Sequence, residues 1–149
     1  VRALERQAMQ PIMTIGDIHD FLDREFPQIH ADGRMLVVTD IGPGRLTMRF
    51  APNERHLRPG NTISGPSMVM LADVAAYAVI LAHVGPVALA VTTSLNINFL
   101  RKPKLAPLSC ECRILKLGKR LAVIDILLMQ ENAEGPAAQA TATYSIPPR

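Results

Sequence analysis

Three positions in this chain combine residue types that could move a proton and stabilise a developing negative charge: Asp73, Gly65 and Thr92. Asp73 interrupts an apolar run between Ala72 and Val74. Burying a carboxylate there is costly unless hydrogen-bond donors surround it. A carboxylate so placed suits a general base or a nucleophile. Taken alone, a mid-helix Asp more often pairs with an arginine or caps a loop. Ser64-Gly65-Pro66 opens the same run. A helix starting there presents unpaired N–H groups and a partial positive charge, which suit an oxyanion. Gly65 lets a substrate carbonyl approach the backbone, and Pro66 removes a competing donor. The tripeptide alone reads as an ordinary cap followed by a first-turn proline. Helical rise sets Asp73 about 12 Å along the axis from Gly65. An acyl group along that groove brings its carbonyl to one and a water to the other. Thr92 shares the polar-alternating face of a strand with Ser94, Asn96 and Asn98. Its hydroxyl is available to hold a water or the carboxylate, and a β-branched residue there also serves strand propensity.

Other chemistry is sparse. The four histidines, His19, His30, His56 and His83, show neither metal-ligand spacing nor a Ser or Cys partner. His19, His30 and His83 read as surface or helix-end residues, and His56, in the loop before the long helix, as a weak site candidate. Cys110 and Cys112 fall two apart on one strand face, poor geometry for bridging each other. No second pair offers a zinc site, so the thiols read as reduced and structural, in a cytoplasmic protein. No phosphate-binding or dinucleotide glycine fingerprint occurs. No metal or redox cofactor is called for.

The elements that must position these residues are legible from periodicity. Thr14–Phe26 carries Ile15, Ile18, Phe21, Leu22 and Phe26 at helical spacing, with Thr14 as N-cap and Pro27 as stop. Met35–Ile41 and Arg45–Ala51 read as strands joined through Gly42-Pro43-Gly44. A polar loop, Asn53–Ser64, precedes a helix over Gly65–Val84 that is apolar on every side. Such a helix must be wrapped by its own fold or by a partner. Beyond Gly85-Pro86 the period becomes two, predicting a long half-buried strand over Ala88–Leu100 and further strands at Leu108–Leu117, Arg120–Gln130 and Ala138–Ile146. Tight turns at Lys116–Arg120 and Asn132–Pro136 make the sheet antiparallel. The expected fold is α+β: a five- or six-stranded antiparallel sheet with one long helix across its concave face and a shorter N-terminal helix.

Composition sets the class. The 149 residues, 48% hydrophobic and 19% charged, suffice for one domain with a real core and are too few for two. The reading is a single domain over 1–149, of which 1–30 is an N-terminal helical segment. A net charge of +3, scattered basic residues and only six aromatics disfavour nucleic acid. Val1–Gln10 lacks the apolar core of a signal peptide. Met68–Val91 has the length of a membrane span, but Asp73 and Gly85-Pro86 interrupt it, so no membrane is expected.

The run Gly60–Tyr77 (GNTISGPSMVMLADVAAY), followed by Ala90–Pro103 (AVTTSLNINFLRKP), resembles the hotdog-fold acyl-CoA thioesterases of the phenylacetic-acid-degradation type. The likeness continues through RLAVIDILL and AQATATYSI, covering roughly Val37 to Ile146. It implies an antiparallel sheet wrapped round one helix, assembly as dimers and often tetramers, and active sites at subunit interfaces. It also implies that Asp73 activates water or attacks the thioester, that the Gly65 N–H polarises the carbonyl, and that Thr92 assists. The family commonly has His-Gly-Gly where this chain has Ser64-Gly65-Pro66, and an Asn where spacing gives Arg58, the nearby Asn being Asn61. These departures bear on activity or substrate preference and leave the carboxylate and the glycine donor in place.

The expected function is hydrolysis of an acyl-CoA thioester, with Ser64, Asn61 and Arg58 near the substrate and Arg101, Lys102 and Lys104 toward the CoA phosphates. A solvated basic loop is nearly as good an account of the last three. The alternative is a hotdog protein that binds acyl-CoA without turnover, as a sensor or scaffold. A dehydratase comes last, for want of a His paired with an acid. One sheet covers only part of the long helix, so a homodimer or homotetramer is expected. Pairing Ala88–Leu100 with its symmetry mate would then bring Thr92 or its neighbours toward the other subunit's Asp73.

Overall fold

The computed structural model describes residues 9–148, so the first eight residues of the N-terminal segment, and Arg149, lie outside the described residues. Helix α1, Ile15–Glu25, starts at Thr14, whose hydroxyl accepts the Asp17 N–H at 3.1 Å while the Asp17 carboxylate accepts the Thr14 N–H at 2.9 Å. This reciprocal pairing satisfies two donors that a helix start otherwise leaves bare. A 3-10 turn, Pro27–His30, follows. Strands β1, Leu36–Gly42, and β2, Arg45–Phe50, form the first hairpin. The loop read as Asn53–Ser64 contains a 3-10 turn, Glu54–His56, and a two-residue ribbon of β3, Leu57–Arg58, and β4, Thr62–Ile63. Gly60 (φ +97°) and Asn61 (φ +60°) close that ribbon, which places Asn61 in a turn that only a residue tolerant of left-handed backbone can fill.

Helix α2 runs Gly65–Val84, and strands β5 (Val91–Phe99), β6 (Leu108–Leu117), β7 (Leu121–Gln130) and β8 (Ala138–Ser145) complete the chain. The six longer strands form one antiparallel sheet in the order β1-β2-β6-β7-β8-β5. The buried side chains of β2, β6, β7 and β8 alternate strictly, and α2 lies against that row. Cys110 and Cys112 point into this core as free thiols.

From Val74 to Val84 every residue of α2 is buried within the single chain. The sheet covers only part of the helix, as expected, and the N-terminal segment covers the rest, so the apolar surface of α2 does not by itself call for a second copy. Ile18, Phe21 and Leu22 of α1 pack on the helix's other side, the Phe21 and Phe26 rings contact Tyr77, and the Ile12 N–H donates to Ala82 O at 2.7 Å. Each fully buried Leu or Ile contributes about 1.5–3 kcal/mol, which offsets part of the entropy cost of ordering this segment. By length and composition α2 could cross a bilayer, but the fold uses it as the core helix.

The histidines are more structural than their sequence positions suggest. His83 is at the helix end as expected but buried, its Nδ1 hydrogen-bonded with Val79 O and its Nε2 accepting the Gly44 N–H at 2.9 Å. His19, in mid-helix and partly buried, ties α1 to β1 by accepting the Val38 N–H. His30 is largely buried beside Asp23, 3.5 Å away.

Candidate active site

Met70, Asp73, Val74 and Tyr77, three and four positions apart, form one strip of α2. That strip floors a cleft of about 560 Å³. Phe26 and Ile29 wall it from the N-terminal segment, and Thr92 and Tyr144 wall it from β5 and β8. The Asp73 carboxylate is half-buried and faces this space.

Two hydroxyls converge on Asp73 Oδ1: Thr92 Oγ1 donates at 2.6 Å and the Tyr144 hydroxyl lies within 2.7 Å. The Tyr144 hydroxyl is also 2.9 Å from the Asp73 backbone oxygen. No described residue donates to Oδ2. Both side-chain donors therefore meet one oxygen of the carboxylate and leave the other open to the cleft. Tyr144 is pushed far above the usual phenol range by burial; its contact with the Thr92 hydroxyl opposes the shift, and the charge and hydrogen bond of Asp73 add to it. Its ring stacks on Tyr77 at 6.3 Å, and the Tyr77 hydroxyl donates to Ala88 O at 2.8 Å. Burial and the nearby Glu25 raise Tyr77 as well.

Thr92 reaches Asp73 because β5 is bulged. Its register to β8 runs Thr92↔Tyr144 and then Ser94↔Thr143, leaving Thr93 extra. The bulge exchanges the two faces of the strand, so Thr92 lies on the helix side together with Leu95 and Ile97 rather than with Ser94, Asn96 and Asn98. The reading of Thr92 on the polar face is thereby corrected. So is the expectation that it would approach a second subunit's Asp73, since the contact is made within one chain.

Gly65 lies elsewhere. It lines a second cleft of about 440 Å³ with Arg58, Thr62, Phe99, Arg101 and Lys102, sharing no residue with the first. One chain does not join Gly65 and Asp73 in a single groove, contrary to the picture of an acyl group lying along the helix. The helix start is nonetheless a selective donor. Ser64 is the N-cap: its side chain accepts the Ser67 N–H at 3.3 Å and its carbonyl the Met68 N–H at 3.2 Å. Pro66 has no N–H, which leaves the Gly65 N–H as the free donor of the first turn among the described residues. The Phe99 ring packs beside Gly65, and a Cβ added there would sit 3.4 Å from it.

The remaining predicted residues divide. Arg58, Arg101 and Lys102 line the Gly65 cleft, with the Arg101 guanidinium steadied by Pro136 O at 2.9 Å. Ser64, Asn61 and Lys104 line neither cleft: Ser64 caps the helix, Asn61 turns the ribbon, and the Lys104 backbone pairs with the Gln130 side chain. His56 caps its own turn by accepting the Asn53 N–H and packs edge-on against Phe50. Tyr144 was missed because the alternation Ala138, Ala140, Ala142, Tyr144 reads as core. The available signal was a lone hydroxyl at the end of an otherwise alanine row. Among the described residues no group of three His, Cys, Asp or Glu is placed to hold a metal ion.

Comparison with known proteins identifies the family. Residues 60–137, which include Gly65, Asp73 and Thr92, match the model of the Thioesterase superfamily. The crystal structure of an inferred thioesterase from Silicibacter is 48% identical, with a TM-score of 0.84 over 95% of this chain and 97% of that one. An inferred esterase of Saccharolobus solfataricus is 30% identical over 96% of this chain and 92% of its own length. A Streptococcus mutans protein solved with acetyl-CoA bound shares the fold at 20% identity, with a TM-score of 0.68 over 76% of this chain and 90% of that one. The chain belongs to the thioesterase superfamily and has its hotdog fold, an antiparallel sheet wrapped around one central helix.

Proposed function

We propose that this protein hydrolyses acyl-CoA thioesters to the free acid and CoA, at a site that a second copy of the chain completes. The observation that carries the reading is the Asp73 carboxylate, held by a hydroxyl at 2.6 Å on the floor of a mostly apolar cleft. A protein that merely binds acyl-CoA gains nothing from desolvating such a group. The acetyl-CoA bound to the Streptococcus mutans relative supports the substrate class.

The edge strand explains how two clefts become one site. β5 is one of the two edge strands of the sheet, and Val91 and Phe99 at its ends are 56% and 51% exposed. A long edge with apolar ends calls for a partner. Thr92, near its start, touches Asp73, and Phe99, at its end, packs beside Gly65. An antiparallel pairing of β5 with its own symmetry mate, through the strand's midpoint, sets Phe99 of one copy opposite Val91 of the other. Each Gly65 cleft then meets the other copy's Asp73 cleft.

In that site the thioester carbonyl accepts the Gly65 N–H at the positive end of α2, where the oxyanion develops. A water attacks the carbonyl carbon and gives its proton to the Asp73 carboxylate. The C–S bond breaks and the proton passes to the departing CoA thiolate. Attack by the carboxylate itself, through a mixed anhydride that water opens, uses the same residues. Arg58, Arg101 and Lys102 supply charge for the CoA phosphates. The test is a thiol-release screen over short, medium and aromatic acyl-CoAs. Release from at least one class, with saturation, is the expected result, and binding without release from any class would select the sensor reading.

A further inference from the structure

We infer that Tyr144 is a positioning residue for the hydrolysis proposed above: together with Thr92 it fastens Oδ1 of Asp73, so that Oδ2 is the oxygen presented to water or to the thioester. The inference rests on that reading and adds to it a residue from the last strand and an assignment of the acting oxygen.

Both hydroxyls meet the same carboxylate oxygen, at 2.6 Å and 2.7 Å. They come from paired strands at directly opposed positions, Thr92↔Tyr144, so the ladder itself fixes their separation. A carboxylate bonded at one oxygen by two donors loses its freedom to turn about its terminal torsion, which is otherwise broad. Oδ2 is then the unengaged oxygen, on a residue that lines the cleft. Tyr144 suits the task because it cannot trade its proton away. The phenol is buried and beside a negative charge, and both effects hold it protonated far above neutral pH. It is thus a donor across the working range and not a competing acid or base. The stack on Tyr77, whose own hydroxyl is tied to Ala88 O, keeps the ring in place. The other titratable groups lining the cleft are Tyr77 on the same helix and Glu25 at the end of α1, and neither donates to the carboxylate.

The test is Tyr144→Phe assayed for acyl-CoA hydrolysis across pH, beside wild type and Asp73→Asn. The phenyl ring preserves the stack and removes the hydroxyl alone. Expected are a kcat reduced about tenfold or more with KM nearly unchanged, because one hydrogen bond to a charged group is lost and substrate contacts are not. The acid limb of the kcat profile should also move to higher pH, since a carboxylate that loses a donor holds its proton more tightly. Substitution with a ring-fluorinated tyrosine keeps the hydroxyl and tests the role by a second route. The stronger donor moves the same limb to lower pH, and Tyr77, the second of the two tyrosines, does not touch the carboxylate. A lower kcat with an unmoved acid limb in both proteins would make Tyr144 structural only and overturn the assignment. Hydrolysis abolished by Asp73→Asn but intact in Tyr144→Phe overturns the role of Tyr144 alone. Absence of hydrolysis in wild type overturns the hydrolase reading and this role with it.

Discussion

Thr92 donates its hydroxyl to the Asp73 carboxylate over 2.6 Å from a strand whose two faces have been exchanged by the extra residue Thr93. The bulge is what converts a residue of ordinary strand propensity into a partner of the helix carboxylate. Bulges at such places re-aim side chains and are to be expected beside active sites.

Replacing that hydroxyl by a methyl group tests the contact. Thr92→Val keeps the β-branched shape and the register to Tyr144, so the fold and KM should hold. We expect kcat to fall about tenfold, the scale of one charge-assisted hydrogen bond. Steady-state kinetics decide it, and an unchanged kcat would return Thr92 to a purely structural place.

The proposed sharing of the site between two copies makes a different kind of prediction. Asp73→Asn and Gly65→Val should each be inactive, the second because a branched side chain must push against the Phe99 ring that already lies 3.4 Å from a Cβ position. Mixed by co-expression, hybrid dimers contain one site with both groups intact. Random pairing gives about one quarter of wild-type activity. Activity no higher than that of either parent, or a stable active monomer by light scattering, would place both groups on one chain.

The chain's α2 and β6 were legible to the residue, because an apolar run bounded by Ser-Gly-Pro and Gly-Pro, and a strict alternation, leave few alternatives. β5 starts at Val91 rather than Ala88, because the Tyr77 hydroxyl engages Ala88 O and the Ala90 N–H turns back to Val87 O. The face of Thr92 could not be read, since period-two counting assumes an unbroken ladder and a bulge at Thr93 carries no Gly or Pro to mark it. Asp73 and Gly65 were both identifiable from their types and setting. Their separation into two clefts depends on where Phe99 and the segment Phe26–Ile29 come to rest, which is tertiary information.

Three imidazoles, His83 buried and His19 and His30 partly so, shape how the fold responds to acid. His83, His19 and His30 all have pKa values lowered from 6.5, in each case chiefly by burial. The unfolded chain therefore takes up protons first as pH falls. The stability they contribute is present above about pH 6.5 and is lost below it, toward the depressed folded values. Protonation of His83 also removes the acceptor for the Gly44 N–H. Thermal melting should show Tm falling between about pH 7 and pH 5, and His83→Gln should flatten that fall. A Tm constant over the window would contradict neutral, buried histidines.

The most direct measurement is acyl-CoA hydrolysis by Asp73→Asn. The amide oxygen can still accept from Thr92 and Tyr144, and the substitution removes a desolvated charge, so the variant should fold with an equal or higher Tm. Its carboxamide can neither take a proton from water nor attack a thioester. The account predicts that kcat falls by about 10²–10⁴ in a fully folded protein. A folded Asp73→Asn variant that hydrolyses acyl-CoA at the wild-type rate would contradict it.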